Sequence, residues 1–319
     1  MNDLCNKKRL SLKVDTKYEI RDSSSHQIRD SNIEFFRIIL MLLIVAHHYV
    51  VNSGLTLPDG PIFADPLSWR SLFLLIFGAW GKTGINCFVM ITGYFMCKSN
   101  ITARKFVKLL AEVTFYHITI TFLFWVTGVE TFSIRSFIIR IIPISDVSTG
   151  FAQSFLVFYL LIPFLNILVH KMTEHQHVML LLWCGGTYVF LGTVPGLKIS
   201  MNYVSWFCVI FFVASYIRLY PKSMYSNITL IKKITLILLV LDIFSVVICT
   251  WLGTKLGKRI PYMFMQDANS FLAVATGIAA FLLFKNVYIP YNHIINIVAS
   301  STFGVLLIHA NSETMRRLL

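Results

Sequence analysis

The chain reads as a succession of long apolar runs separated by short polar and basic stretches. Crossing hydrocarbon as a helix takes about 20 mostly apolar residues. That ruler places spans at 34–52, 71–97, 107–127, 151–169, 177–194, 203–220, 233–253, 269–286 and 292–310. The pattern predicts an all-α fold, a polytopic transmembrane helical bundle of about nine spans. Phe132 to Ile144 is shorter and carries Arg135, Arg140 and Pro143, so it is expected to lie in the outer interface as an amphipathic segment. No repeat of fixed period and no low-complexity tract appears. The organisation is a polar tail, 1–32, followed by one transmembrane domain, 33–319.

Composition confirms lipid as the solvent. Of 319 residues 56% are hydrophobic and 13% charged, whereas a soluble domain carries about a quarter of its residues as Asp, Glu, Lys and Arg. With 14% aromatics and a mean hydropathy of +0.70, a soluble fold would expose apolar surface that water could not accommodate. The net charge of +13 does not point to nucleic acid, because of where it sits. Seven of the 28 basic residues fall in the first 32 positions, and most others lie between apolar runs. With the N-terminus cytoplasmic, 17 of the 28 fall on the cytoplasmic side, nine outside, and Arg37 and Lys82 within spans. The bias predicts a multi-pass protein of the inner or plasma membrane with its N-terminus in the cytosol. If Phe132 to Ile144 crossed, every later loop would change sides at nearly the same tally, so charge leaves the second half open.

The tail is polar for too long before its first apolar run to be a cleavable signal peptide, and it reads as cytosolic. The six cysteines are scattered without paired spacing, so neither a disulfide framework nor a metal site is expected.

Ionisable groups inside a bilayer cost several kcal/mol and are functional candidates by default. The first span opens with Glu34 and Arg37 and closes with His47 and His48. Arg37 and His48 are eleven residues apart. At about 100° per residue they project from one helix face, separated by roughly 16 Å along the axis, while His47 points about 80° away from Arg37. Arg37 alone would snorkel to headgroups. Joint placement suggests instead an anion-binding arginine near the cytosol and a histidine deeper in the membrane for proton or acyl transfer.

The second span carries Gly78, Gly81, Gly84 and Gly93, spaced for close helix packing, with Lys82 and Asn86 among them. Arg104, Lys105 and Lys108 then form a basic cluster that either marks the cytosolic side or binds phosphate. It leads into a span holding Glu112, Tyr116 and His117. Asp242 lies mid-span and must face protein or water, as a pairing or relay candidate. Late polar residues more often form helix–helix hydrogen bonds, and His309 ranks first among them as a site candidate.

Together these features resemble the acyltransferase-3 family of polytopic membrane acyltransferases. The resemblance rests on Arg37, ten intervening residues and His48 in the first helix, and on Gly81 to Phe95, ending Thr92-Gly93-Tyr94-Phe95. The family's pair of arginines two residues apart is replaced here by Lys105 and Lys108, which keep spacing and charge but not the bidentate fork. Phe155 to Asn166, Phe211 to Pro221 and Ser300 to Asn311 resemble the branch that modifies exopolysaccharides and cell-wall glycans, with Leu306 and Ala310 in place of Tyr and Asp.

The resemblance implies an O-acyltransferase, foremost an O-acetyltransferase, moving an acyl group from cytosolic acetyl-CoA or another acyl-CoA to a polysaccharide or lipid-linked glycan. Arg37, Arg104, Lys105 and Lys108 would hold the donor, and His48 would serve as general base or transient acyl carrier. Family members usually continue through one more apolar helix, so the chain is also expected to be a C-terminally truncated member. The alternatives are a transporter or flippase of a glycan precursor, with Lys82, Asp242 and His48 as its charge pathway, and an inactive scaffold.

Overall fold

The computed structural model describes residues 30–141, 150–194, 196–197, 199 and 202–318. Positions 1–29 of the tail, with Cys5 and seven basic residues, lie outside the described residues, as do 142–144 of the predicted interfacial segment and Lys198.

Every apolar run identified in the sequence is helical, and no strand occurs among the described residues. The first helix, α1 (Ser31–Asn52), is followed by α2 (Trp69–Phe77), α3 (Gly81–Met96), α4 (Ala103–Val126) and the short α5 (Ile134–Ile141). Next come α6 (Phe151–Lys171) and α7 (Glu174–Cys184), which continues through a π turn at Gly185–Phe190 to Thr193. The second half holds α8 (Tyr203–Leu219), α9 (Ile228–Leu256), α10 (Phe271–Asn286), α11 (His293–Ser300), α12 (Thr302–His309) and α13 (Glu313–Leu318). Five segments among the described residues are long and apolar enough to cross a membrane: α1, α2 with α3, α4, α6 and α9. The stretches 203–219, 271–286 and 293–309 are shorter and equally apolar in character.

Two predicted spans are broken. The run 71–97 divides at Gly78–Trp80 and the run 292–310 at Ser301. Lys82, expected deep inside a continuous helix, therefore stands in the first turn of a half-helix.

The inner helix is α3, packed against α1, α8 and α10. Its glycines make that contact possible. A Cβ on Gly84 would stand 3.0 Å from Ile44 Cγ1, and one on Gly93 would stand 3.0 Å from Ala214 Cβ and 3.2 Å from Phe211 Cα. Backbones approach where side chains are absent, and dispersion replaces the missing hydrophobic drive between helices in lipid. On α1, Ile33, Phe36, Leu40 and Ile44 recur every three to four residues and are buried, whereas Leu42 and Tyr49 look outward. Leu236, Ile237, Val240 and Phe244 of α9 are likewise exposed, as a lipid-facing helix requires.

Helices α4 and α6 run antiparallel. Gln153 meets His117, and one turn further Leu156 packs with Val113. The end of α4 and the start of α6 thus lie at the same end of the bundle. A hydrogen bond from Thr314 to Glu130 ties α13 to the chain just beyond α4 at that end. The chain between them, whose described part is α5, thus leaves α4 and enters α6 at the same end.

Candidate active site

A cavity of about 180 Å³ lies near the Asn52 end of α1. Helix α1 contributes Ile44, His47 and His48, and α3 contributes Gly81, Lys82 and Ile85. His117 enters from α4, Gln153 from the first turn of α6 and Tyr203 from the start of α8. Leu306 and Ala310 close one side, with Asn311 and Arg316 at the edge.

The helix break at Gly78–Trp80 assembles this site. The freed carbonyl of Gly78 binds His47 Nδ1 at 2.7 Å. Gly81 lies directly against His47, whose ring and Cβ occupy the space a Cβ at position 81 would need. Asp242, fully buried on α9, accepts from Thr276 Oγ1 at 2.8 Å and from Trp80 Nε1 at 3.3 Å. It therefore fixes the residue immediately before Gly81. Lys82 then reaches Tyr203, donating from Nζ to the phenol oxygen at 2.9 Å, with its cation 5.6 Å from the ring centre.

The His48 ring is 6.0 Å from that of His47 and 5.0 Å from that of His309. His309 does not line the cavity but stands behind His48. Its Nδ1 is 2.7 Å from Val305 O, and since that carbonyl can only accept, Nδ1 carries the proton and the lone pair of neutral His309 is on Nε2. His309 Nε2 and His48 Nδ1 are both buried and without a hydrogen-bond partner among the described residues. Two adjacent imidazoles with idle nitrogens form a group that can take up and pass on a proton.

Other sequence candidates lie elsewhere. Arg37 pairs with Glu34 on its own helix, Nη1 to Oε1 at 3.2 Å, at the opposite end of α1 from the cavity. Arg104, Lys105 and Lys108 are exposed in the first turns of α4. Glu112 is half-buried and outside the cavity lining. Asn86 is a packing bridge: Nδ2 donates to Ala268 O at 2.7 Å and Ala273 O at 3.3 Å, and Oδ1 accepts from Trp206 Nε1 at 2.8 Å.

Tyr203, Gln153 and Arg316 were not candidates in the sequence. Arg316 reads there as a loop charge beyond the last span, and its nearness to His309 in sequence was the available signal. A larger cavity, about 470 Å³, lies between the π turn, α8 and α10, lined almost wholly by apolar side chains such as Ile210 and Val274. It holds no histidine or carboxylate and offers nothing for acid–base work.

The family model described as an acyltransferase domain, of the acyltransferase-3 type, matches residues 30–311. The chain belongs to the acyltransferase-3 family. Comparisons with curated proteins and with solved structures returned no match. As an acyltransferase-3 member the protein is a membrane acyltransferase, which calls for an acyl donor and in general a glycan acceptor. The matched region takes in the described helices from α1 through α12, and with them every cavity residue except Arg316.

Proposed function

We propose that the protein is an integral-membrane O-acetyltransferase that moves the acyl group of cytosolic acetyl-CoA to a hydroxyl of an extracytoplasmic polysaccharide or lipid-linked glycan. The observation that carries this reading is His48, whose Nδ1 is buried and unpartnered at a small polar cavity, with His309 behind it. With the N-terminus cytoplasmic, that cavity opens toward the outer leaflet, where a glycan hydroxyl would arrive. Arg37 and the Arg104, Lys105 and Lys108 cluster lie toward the cytosol, suited to the phosphates of the donor. The roughly 16 Å rise from Arg37 to His48 matches a long cosubstrate anchored at one face and reacting toward the other.

His48 acts in one of two ways. As a general base it takes the proton of the sugar hydroxyl while that oxygen bonds to the thioester carbonyl carbon. The C–S bond then breaks, and the thiolate recovers the proton. As a nucleophile it forms an acyl-imidazole with loss of the thiol, and the hydroxyl displaces the imidazole in a second step. In the first route His309 Nε2 can share the proton that His48 gains; in the second it can take the N–H proton that the acylated ring gives up on its way to the thiolate.

The test uses sealed membrane vesicles containing the full chain, with acetyl-labelled acetyl-CoA at the cytosolic face and envelope glycan at the other. Label in the glycan is the expected result. Intact acetyl-CoA beside properly inserted protein overturns the assignment and favours a glycan transporter.

A further inference from the structure

Two basic side chains face the same small cavity. Lys82 enters from α3 and Arg316 from α13, and among the described residues no Asp or Glu lines the space. Lys82 is held by a neutral group, the Tyr203 hydroxyl. Among the described residues the Arg316 guanidinium makes a single long hydrogen bond, 3.4 Å from Nε to the Ser312 carbonyl of its own helix. Asn311 lies beside them with its Nδ2 buried and unpartnered among the described residues. Partly desolvated cations that share a cavity without an anion are unfavourable unless a ligand supplies the counter-charge.

Acyl transfer supplies it only fleetingly, as the oxyanion of the tetrahedral step and the departing thiolate. The hydroxyl and the thioester are neutral, and the donor phosphates are assigned to the other end of α1, roughly 16 Å away along the helix. Of the reactants, the acceptor remains to supply a lasting counter-charge.

We propose that the acceptor is an acidic glycan, with a carboxylate or phosphate close to the hydroxyl that is acylated, bound by Arg316 and Lys82 with Asn311 as a neutral donor. Arg316 provides a planar fork suited to either oxyanion, and its place at the cavity edge orients the sugar so that the neighbouring hydroxyl faces His48. This inference rests on the acyltransferase reading and adds to it the charge class of the substrate.

Two measurements test it. In the first, envelope glycan from cells with and without the protein is compared by NMR, and the acylated residue is located. An acylated sugar that carries a carboxylate or phosphate, or adjoins one that does, is expected, and the spectra tell the two anions apart. Acylation confined to neutral stretches overturns the inference while leaving the acyltransferase standing, and no acylation difference at all overturns both.

The second measurement uses vesicles and a pair of acceptors: a uronate-containing oligosaccharide and its carboxyl-reduced counterpart. The wild-type ratio of kcat/KM, acidic over neutral, is expected to be well above one. Arg316→Gln should reduce that ratio roughly 10- to 100-fold, the range of a charged hydrogen bond, mainly through KM. Arg316→Lys should restore part of it, which separates lost charge from lost folding. A ratio near one in the wild type, or one unmoved by Arg316→Gln, overturns the proposal.

Discussion

Replacing Asp242 by alanine tests how the cavity is held together. Its Oδ2 accepts from Thr276 at 2.8 Å and Trp80 at 3.3 Å, and the side chain is fully buried. In the alanine variant the Thr276 hydroxyl can turn to the carbonyl four residues back in α10, a bond available to threonine in any helix. Trp80 has no such option, since its indole N–H only donates. The loss is therefore close to one unmet donor, about 1–3 kcal/mol, plus the packing of the deleted carboxyl group, for a total of about 2–4 kcal/mol. Asp242→Asn keeps an oxygen able to accept from both donors but puts an amide nitrogen at Oδ1, which is buried without a partner among the described residues, so it should lose less than Asp242→Ala, about 1–2 kcal/mol. Thermal unfolding of the purified protein in detergent, followed by tryptophan fluorescence, reads both variants, and vesicle acetyl transfer reads the effect on the site. Equal stability of Asp242→Ala and wild type would refute the reasoning. An Asp242→Asn variant as impaired as Asp242→Ala would show that the carboxylate's charge, not its acceptor oxygen, is required, as a transporter's charge pathway demands.

Three further outcomes follow from the same geometry. Gly81→Ala puts a methyl group against the His47 ring, so it should cost about 1–3 kcal/mol of stability by overpacking and lower turnover, measured by unfolding and acetyl transfer together. Gly257 caps α9 in the left-handed region, with φ of 62°, and Gly257→Ala should lower stability by about 1 kcal/mol with turnover retained. His309 is a positioning residue behind His48, so His309→Gln should reduce kcat and move the pH profile of transfer. An unchanged profile would reduce His309 to packing.

The fold was largely legible because membrane helices announce themselves by length and apolarity, and each predicted run is helical. The two helix breaks were not. Gly78 and Gly81 stand in the sequence as packing glycines, and nothing local reveals that a tertiary contact from Asp242 to Trp80 holds the interruption between them. Arg37 and His48 stood out as ionisable groups of the first span on one helix face; His48 lines the cavity and Arg37 does not. Helical spacing also set His47 apart from Arg37 and His48, yet His47 lines the same cavity as His48, because the cavity spans more than one face of α1 and Gly81 leaves room for the ring. Lys82 stood out as a charge in an apolar run. Its partner Tyr203 did not, being one aromatic among many at the end of a later span. Arg316 was hidden by the topology signal, which gives every loop arginine a reason to exist.

The central claim is that His48 carries acyl transfer at this cavity. Acetyl transfer to envelope glycan by membranes containing His48→Ala, against wild type at matched protein levels, tests it most directly. A fall of about 10²- to 10⁴-fold is predicted, the usual contribution of a positioned acid–base group, with the variant still inserted in the membrane. Transfer at the wild-type rate would contradict the account.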